Sequence, residues 1–242
     1  TFTVAVGSSP QVVRQGDRFL LIEEVVTRPD GLGIRLQSSW GNAEIQSRLL
    51  GRFNAANLAL TIAVLLAWDM PLSDAVHAVQ QVQAVEGRMM TFIARGAPRV
   101  VVDYAHTPDA LEQVLTGLRE HVTGRLICVF GCGGDRDRGK RPQMGEVVSR
   151  LADRTVITDD NPRSEVPQQI VNDILSGIND RAGVVVEHDR ATAIATSITA
   201  ASADDLVLIA GKGHENYQEV AGRRLAFSDI EQVRQVLRGG QA

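Results

Sequence analysis

Hydrophobic and polar positions follow one pattern up to about residue 50 and another from residue 99 onward. Up to about residue 50, short runs such as residues 19–22 and 33–36 alternate apolar and polar positions and are broken by Gly and Asp. This pattern predicts a small antiparallel sheet. Two helices should follow. Residues 57–68 are apolar nearly all round, which is typical of a buried helix, and Ser73 is the expected N-cap of a second helix that ends near Gln83.

From residue 99 onward, apolar strands alternate with amphipathic helices. Thr107 is expected to cap a helix that has a proline at its first position, and Ser228 with Glu231 predicts a capping box for the last helix. A hairpin that turns at Gly222 is predicted before that helix. The alternation predicts an α/β fold in which helices cover both faces of a mostly parallel sheet. The strands of that sheet are predicted at residues 99–103, 125–130, 154–158, 183–187 and 205–210.

Polar clusters follow four of these predicted strands. Ligands of parallel sheets bind outside the carboxyl ends of the strands, so the four clusters should share one rim. Unrelated surface loops have no reason to share an edge, and we therefore expect a ligand site there. The clusters occupy residues 103–106, 131–136, 159–163 and 211–215.

The cluster after the third strand is the most informative. Asp160 and Asn161 favour a turn, and Pro162 stiffens it, so that Arg163 is held in one direction. A guanidinium that binds a carboxylate then lies beside acceptors for an ammonium, which suits a zwitterionic amino acid. On these residues alone, a solvated loop closed by its own ion pair is an equal alternative.

Residues 134–141 nearly match a phosphate-binding loop. Arg141 stands where the loop needs Ser or Thr, and Asp135 and Asp137 would bring negative charge into a phosphate cradle. We therefore expect no triphosphate site here. Arg136 should instead reach a carboxylate from a rigid turn. The remaining basic side chains are expected to be solvated: Arg138, Lys140 and Arg141.

Several polar residues lie near other strand and helix ends. His106 precedes a helix N-terminus, which favours anions. Asp103 is expected to accept from a ribose hydroxyl or to orient Arg88, and a cap for the helix at 107–120 is the alternative. Asn54 and Asn57 should point to the same side of their helix and contact a ligand, although capping alone would explain Asn54.

Composition narrows the partners. With 242 residues, 44% of them hydrophobic, and a net charge of -4, the chain has no cluster of basic and aromatic residues suited to nucleic acid. The longest apolar run, residues 58–68, is shorter than the ~20 residues that span a bilayer.

Cys128 and Cys132 lack companions for a zinc site and are expected to be reduced core thiols. His77, His121 and His188 are expected to be structural or exposed. The start of the chain lacks Met and a cleavage site, so we expect an internal piece of a longer protein.

Six segments together resemble the Mur ligases of peptidoglycan synthesis. They are GRFNAAN at 51–57, GRM at 87–89, VDYAHTP at 102–108, GCGGDRD at 131–137, DNPR at 160–163 and GKGHE at 211–215. The resemblance covers the whole chain in order. It implies that residues 1–86 are the α+β end of a P-loop ATPase domain, and that residues 87–242 are a Rossmann-like domain that binds the amino acid.

The resemblance also implies an activity. Family members of this kind are ATP-dependent ligases that add meso-diaminopimelate to UDP-MurNAc-L-Ala-D-Glu through an acyl phosphate. The P-loop and the Mg²⁺ ligands would lie upstream, so no metal ligand is expected here and the isolated chain should not turn over. Lysine, which lacks the second carboxylate, would leave Arg163 unpaired. The implied diaminopimelate residues are Arg136, Asp160, Asn161, Pro162, Arg163, Gly211 and Glu215.

The residues implied to face the nucleotide or to support catalysis are Asn54, Asn57, Arg88, Asp103, Tyr104 and His106. We expect a cytoplasmic monomer whose partners are small molecules, with no membrane insertion and no nucleic acid. Two alternatives stay open at this point. The chain is a non-catalytic fragment that binds amino acid or nucleotide, or it belongs to a related ligase such as folylpolyglutamate synthetase, against which the turn at 160–163 argues.

Overall fold

The computed structural model describes residues 4–7 and 18–239, and the chain forms two compact units, Thr1–Gln83 and Ala84–Ala242. In the first unit, strands β2, β3 and β4 form the predicted antiparallel sheet, and β1 adds to it parallel to β2. Two helices follow. The elements are β1 (Val4–Gly7), β2 (Arg18–Arg28), β3 (Gly31–Ser38), β4 (Gly41–Ser47), α1 (Phe53–Ala67) and α2 (Leu72–Gln80).

Helix α1 is buried on one face only, which corrects the prediction of a helix buried all round. Its inner face packs with the sheet through residues such as Leu58 and Ile62. The outer face leaves Leu60 53%, Val64 50% and Trp68 77% exposed. These three positions are four residues apart and form one apolar stripe on the helix surface.

The predicted Ser73 cap is wrong, and so is the alternative by which Asn54 only caps its helix. Helix α2 begins at Leu72 with Pro71 in the N-cap position, and the hydroxyl of Ser73 bonds to the neighbouring Asp74 instead. Asn54 lies inside α1 and does not cap it. Its amide Nδ2 donates to the carbonyl of Leu50 at 2.7 Å.

The second unit is built on a six-stranded sheet of order β5-β6-β10-β7-β8-β9. Neighbours are parallel except β5, an antiparallel edge strand that the sequence analysis did not predict. The predicted α/β class with a mostly parallel sheet flanked by helices is confirmed. The strands of the sheet are β5 (Met90–Phe92), β6 (Arg99–Asp103), β7 (Leu126–Phe130), β8 (Arg154–Ile157), β9 (Val184–Val186) and β10 (Leu206–Ala210).

Five helices and a hairpin complete this unit. Helix α4 packs on both α3 and α5, and α6 packs on α7. Strands β7 and β10 are buried along their whole length, as expected for parallel strands covered on both faces. The remaining elements are α3 (Pro108–Arg119), α4 (Lys140–Leu151), α5 (Pro167–Leu175), α6 (Arg190–Thr199), β11 (Tyr217–Val220), β12 (Arg223–Ala226) and α7 (Asp229–Gly239).

The local signals in this unit were mostly correct. Thr107 caps α3 by accepting from the backbone N–H of Ala110, and Pro108 is the first helical residue. The hairpin of β11 and β12 turns at Gly222 as predicted. The capping box is only half formed, because Ser228 accepts from the N–H of Glu231 while the Glu231 carboxylate pairs with Arg234.

A buried ion pair joins α6 to the first residue of α7. Arg190 and Asp229 are both 0% exposed at the side chain, and Nε of Arg190 lies 2.7 Å from Oδ1 of Asp229. Nη2 of Arg190 also donates to the carbonyl of Ala210 at 2.9 Å. The pair therefore holds the end of β10, immediately before the polar cluster at 211–215.

We expect Arg190→Met to lower the free energy of unfolding by about 3–5 kcal/mol, because it leaves the Asp229 carboxylate buried without its partner. Denaturant unfolding of the chain measures this. The double variant Arg190→Met/Asp229→Leu removes both charges and should recover a large part of the loss. If the double variant is no more stable than the single one, the unpaired charge is not the cause.

Candidate functional site

The four predicted polar loops line one cavity of about 530 Å³ at the carboxyl ends of β6, β7, β8 and β10. Their convergence on one rim is therefore observed. The cavity is also lined by Tyr217 of the hairpin and by Met144 of α4. Among the residues proposed from the sequence, those that line it are Tyr104, His106, Arg136, Asp160, Asn161, Arg163, Gly211 and Glu215.

Hydrogen bonds hold the loop after β7 against the turn after β8. The N–H of Gly134 donates to the carbonyl of Asn161 at 2.9 Å, and Nη1 of Arg163 donates to the carbonyl of Gly134 at 2.7 Å. A Cβ at Gly134 would lie 1.9 Å from the carbonyl oxygen of Pro162, so only glycine fits this approach. Pro162 thus shapes the turn without lining the cavity.

Arg141 is the largest departure from the sequence-based prediction. It was expected to be solvated, but its side chain is only 1% exposed and pairs with Glu165 and Asp173, each at 2.8 Å. It also donates to the carbonyl of Gly133 at 3.2 Å. These acids come from α5 and the segment before it, so spacing along the chain does not reveal them. Arg138 is exposed as predicted.

The same contacts make the segment at 134–141 a poor fit for a phosphate. The Arg141 guanidinium holds the pKa of Glu165 at about 2, and a hydrogen bond from the N–H of Asp135 adds to this. The Asp135 carboxylate accepts from the hydroxyl and the N–H of Ser164, which lowers its pKa. The Arg141 guanidinium is held in ion pairs and is not available to a phosphate, and the side chain has no hydroxyl that could bind a metal ion. The segment acts as a fixed wall of the cavity.

Arg163 is held from outside its own turn. Its φ is +52°, a left-handed conformation that costs a residue with a side chain roughly 1 kcal/mol. Backbone hydrogen bonds with the hairpin offset this: Arg163 N–H donates to Glu219 O at 2.9 Å, and Ala221 N–H donates to Arg163 O at 2.8 Å. Its acidic partner is Glu219 at 3.4 Å. The alternative of a loop closed by its own ion pair is therefore wrong.

Lys212 is a residue of the pocket that the sequence analysis missed. Its side chain is fully buried. Nζ donates to Oδ1 of Asp160 at 3.2 Å, to Oδ1 of Asn161 at 3.0 Å and to Oε2 of Glu215 at 3.3 Å. The available signal was a lysine between two glycines inside a polar strand-end cluster. Gly211 has φ +116° and would place a Cβ 3.2 Å from Oδ2 of Asp160, so it keeps this approach open.

Most other charges at the pocket are already paired, which identifies the groups left for a ligand. Among the described residues, Arg136 forms no ion pair, and its one hydrogen bond, to Asp135 O, is long at 3.5 Å. Arg163 uses Nη1 and Nε on Gly134 and Glu219 and keeps Nη2. Of the residues that the structure describes, none donates a hydrogen bond to Oε1 of Glu215, because Asn161 and Lys212 both donate to Oε2.

Asp103 has a structural role that the sequence analysis did not predict, and its predicted contact with a ribose hydroxyl stays a prediction. Its carboxylate accepts from the N–H of Met89 at 2.8 Å and of Ala105 at 2.7 Å. It neither caps α3, which Thr107 does, nor bonds Arg88. The guanidinium of Arg88 lies instead over the ring of Tyr104, 4.4 Å from its centre. Asp103 therefore ties the segment at Met89 to the loop after β6.

The other residues expected near a nucleotide fall into two groups. The ring of Tyr104 contacts those of His106 and His214, with centroids 4.6 and 5.5 Å away, and forms an aromatic group at one side of the cavity. Asn54 and Asn57 belong to the first unit. They point to the same side of α1 as predicted, since Nδ2 of Asn57 donates to Oδ1 of Asn54 at 3.1 Å.

The thiols and histidines outside this group are structural. Cys128 and Cys132 are free and buried as predicted, and burial raises the pKa of Cys132 to about 12, which leaves it protonated and unreactive. His121 is buried, and His188 lies 2.8 Å from Asp159, which does not line the cavity.

Residues 4–7 and 18–239 contain neither a candidate membrane-spanning helix nor a candidate metal cluster. No helix there has the length and apolarity to span a bilayer, and no three His, Cys, Asp or Glu side chains are grouped so that they could hold a metal ion.

Comparison with known proteins gives matches over most of the chain. The family model described as "Mur ligase, glutamate ligase domain" matches residues 87–213. A solved structure of a UDP-N-acetylmuramoyl-L-alanyl-D-glutamate--2,6-diaminopimelate ligase is 40% identical, with a TM-score of 0.75, and the match covers 96% of this chain and 47% of that one. The chain thus spans about half the length of that structure.

More distant structures share the fold. The UDP-N-acetylmuramate-alanine ligase of Thermotoga maritima is 17% identical with a TM-score of 0.64, over 95% of this chain and 47% of that one. The folylpolyglutamate synthase of the same organism is also 17% identical, with a TM-score of 0.63, over 81% of this chain and 44% of that one. At this identity the likeness concerns the architecture alone.

The Arg141 and Glu165 pair predicts a specific acid sensitivity. The pKa of Glu165 is lowered in the folded chain, so its contribution to stability is full above its unfolded pKa of about 4.3 and is lost as the pH falls toward about 2. We expect Arg141→Met to cost about 3 kcal/mol near neutral pH and to flatten this acid dependence. Denaturant unfolding at several pH values measures both.

Arg138→Met is the matched control. Arg138 contacts the same carboxylate, but its side chain is 65% exposed, so its loss should change stability by less than about 1 kcal/mol. Equal losses for the two variants would contradict the assignment of the effect to the buried guanidinium.

Proposed function

The chain belongs to the Mur ligase family, and we propose that it is the C-terminal portion of the ligase that adds meso-diaminopimelate to UDP-MurNAc-L-Ala-D-Glu. The observation that carries this proposal is the pattern of groups left free in the cavity. Arg136 and Nη2 of Arg163 are donors for a carboxylate, and Oε1 of Glu215 is an acceptor for an ammonium. A zwitterionic amino acid end presents both partners.

The choice of diaminopimelate over lysine follows from the two arginines. Diaminopimelate carries a second carboxylate beside its second ammonium, whereas the far end of lysine carries an ammonium only. Lysine would occupy Glu215 and leave the partly buried Arg163 without a ligand partner, at a cost of about 1–3 kcal/mol. The solved ligase that is 40% identical is named for diaminopimelate, which supports the same choice.

In this proposal the chain binds and orients the amino acid, and the phosphate chemistry belongs to residues upstream. ATP with Mg²⁺ would activate the carboxylate of the nucleotide substrate as an acyl phosphate. The segment at 134–141 does not fit that task, because Asp135 and Asp137 bring negative charge and Arg141 is held in ion pairs. Holding the far zwitterion by its three groups leaves the other amino group of the ligand free to attack.

Residues 1–86 are proposed to be the end of the central ATPase domain, and residues 87–242 the amino-acid-binding domain. The outer stripe of α1 supports the first assignment, since Leu60, Val64 and Trp68 form an exposed apolar face of the kind that packs against further protein. Tyr104, His106 and Arg88 are proposed to face the nucleotide, as are Asn54 and Asn57. Because the substrates are ATP and a nucleotide-linked precursor, we propose a cytoplasmic location.

The test is amino-acid selectivity in the full-length protein that contains these residues. Release of phosphate from ATP should require UDP-MurNAc-L-Ala-D-Glu and meso-diaminopimelate, with lysine at least about tenfold less efficient in kcat/KM. Arg163→Ala should raise the KM for diaminopimelate by tenfold or more while narrowing its advantage over lysine. Arg138→Ala, which removes a guanidinium that does not line the cavity, is the control.

Equal use of lysine by the unaltered protein would contradict the proposed selectivity. Glutamate as the preferred amino acid, with a folate acceptor, would favour the folylpolyglutamate alternative. Unchanged kinetics in Arg163→Ala would remove that residue from the pocket.

A further inference from the structure

Lys212 determines which acceptors in the pocket remain available to a ligand. Its ammonium is fully shielded from water, and a buried ammonium is retained only where nearby acceptors and counter-charges replace its hydration. Here these are Asp160, Asn161 and Glu215, the same residues that the family resemblance assigns to the ammonium of the amino acid. A protein cation behind the cavity wall therefore already binds acceptors of the proposed ligand site.

The side-chain oxygen of Asn161 is fully used within the protein, and Nδ2 keeps one of its two hydrogens. Its Oδ1 accepts from Lys212 and from the N–H of Glu219 at 2.9 Å, and its Nδ2 donates to Oε2 of Glu215 at 3.0 Å. The amide therefore links the lysine, the hairpin and the glutamate. It orders the pocket, and its remaining Nδ2 hydrogen stays available to a ligand.

The charges within the cluster of Lys212, Asp160 and Glu215 do not cancel, and two guanidinium groups beside it have partners of their own. Arg163 pairs with Glu219 at 3.4 Å, and Arg190 pairs with Asp229 at 2.7 Å. The remaining charges are one ammonium, on Lys212, and two carboxylates, on Asp160 and Glu215. The cluster therefore carries a single excess negative charge, which matches a single ammonium on the ligand.

The geometry shows which carboxylate carries this excess. Both carboxylates line the cavity, but the side chain of Asp160 is 10% exposed and that of Glu215 is 22% exposed, so Glu215 is the more open of the two to a ligand. Lys212 and Asn161 hold its Oε2 on the inner side. The outer oxygen, Oε1, is directed to the ligand as a result.

We propose that Lys212 is a positioning residue that sets the specificity of the pocket for a zwitterionic amino acid end. It cancels the charge of Asp160 and fixes Glu215 so that one carboxylate oxygen meets one ammonium. Without Lys212, two adjacent carboxylates repel each other and Glu215 loses its fixed orientation. The inference rests on the proposed amino-acid pocket but not on which amino acid fills it.

The test uses Lys212→Met, which keeps an unbranched chain and removes the charge, in the full-length ligase. We expect the KM for meso-diaminopimelate to rise about tenfold or more, with smaller changes in kcat and in the KM for ATP. The second variant, Lys212→Met/Asp160→Asn, restores the single negative charge and should recover much of the KM. Arg138→Met, which removes an exposed cation that does not line the cavity, should change the KM less than about twofold.

The pH profile separates this role from simple packing. In Lys212→Met, a proton can replace the missing ammonium, so the ratio of variant to unaltered KM should fall as the pH is lowered from about 8 to about 6. A lysine that only fills space predicts a constant ratio and no rescue by Asp160→Asn. A constant ratio, or a double variant no better than the single one, would overturn the proposal.

Stability of the 242-residue chain provides a readout that needs no substrate. Lys212→Met should lower the unfolding temperature more at about pH 8 than at about pH 5, and Asp160→Asn should restore it. If Lys212→Met does not fold, recovery of folding in the double variant supports the proposal and continued failure overturns it. If the ligase uses lysine instead, the proposed substrate falls, and the same KM series with lysine still decides the role of Lys212.

Discussion

Charges buried at the ends of the parallel strands must be neutralised, and this constraint organises the second unit. Lys212, Arg141 and Arg190 are all shielded from water, and each is met by carboxylates from a different part of the chain. Each pair joins elements that are distant in sequence: α4 to α5, α6 to α7, and the loop after β10 to the turn after β8. Breaking one pair leaves an unpaired charge in a poorly solvated place, which is why these contacts hold the cavity in one shape.

The shape in turn determines the chemistry of the cavity. Because the buried charges are paired, the groups suited to a zwitterion are the guanidinium of Arg136, part of that of Arg163 and one oxygen of Glu215. These groups belong to three different loops, and no single motif contains them all. The backbone bonds between Gly134, Asn161 and Arg163 keep two of the loops in a fixed relation. A preorganised site of this kind loses little entropy when the ligand binds.

The fold and the location of the site could be predicted from the sequence, because both depend on local pattern. The spacing of apolar residues distinguishes strands from helices. Because the carboxyl ends of parallel strands meet at one edge of the sheet, the polar loops that follow them can be placed together without knowledge of their contacts. The errors have a common physical origin. In the sequence, Arg141 and Lys212 resemble ordinary surface cations. Their burial depends on partners that are distant along the chain: Glu165 is 24 residues from Arg141, and Asp160 and Asn161 are 52 and 51 residues from Lys212. The exposed stripe of α1 was missed for the same reason, since an apolar helix surface does not say what covers it.

The central claim is that the pocket holds a zwitterionic end between arginines and a glutamate that Lys212 has oriented. A crystal structure of the full-length ligase with meso-diaminopimelate tests it most directly. The account predicts an ammonium nitrogen of the ligand about 3 Å from Oε1 of Glu215, and the carboxylate beside it on Arg136 and Arg163. Lys212 should keep its bonds to Asp160 and to Oε2 of Glu215. A ligand bound with the carboxylate toward Glu215, or a Lys212 displaced from the cluster, would contradict it.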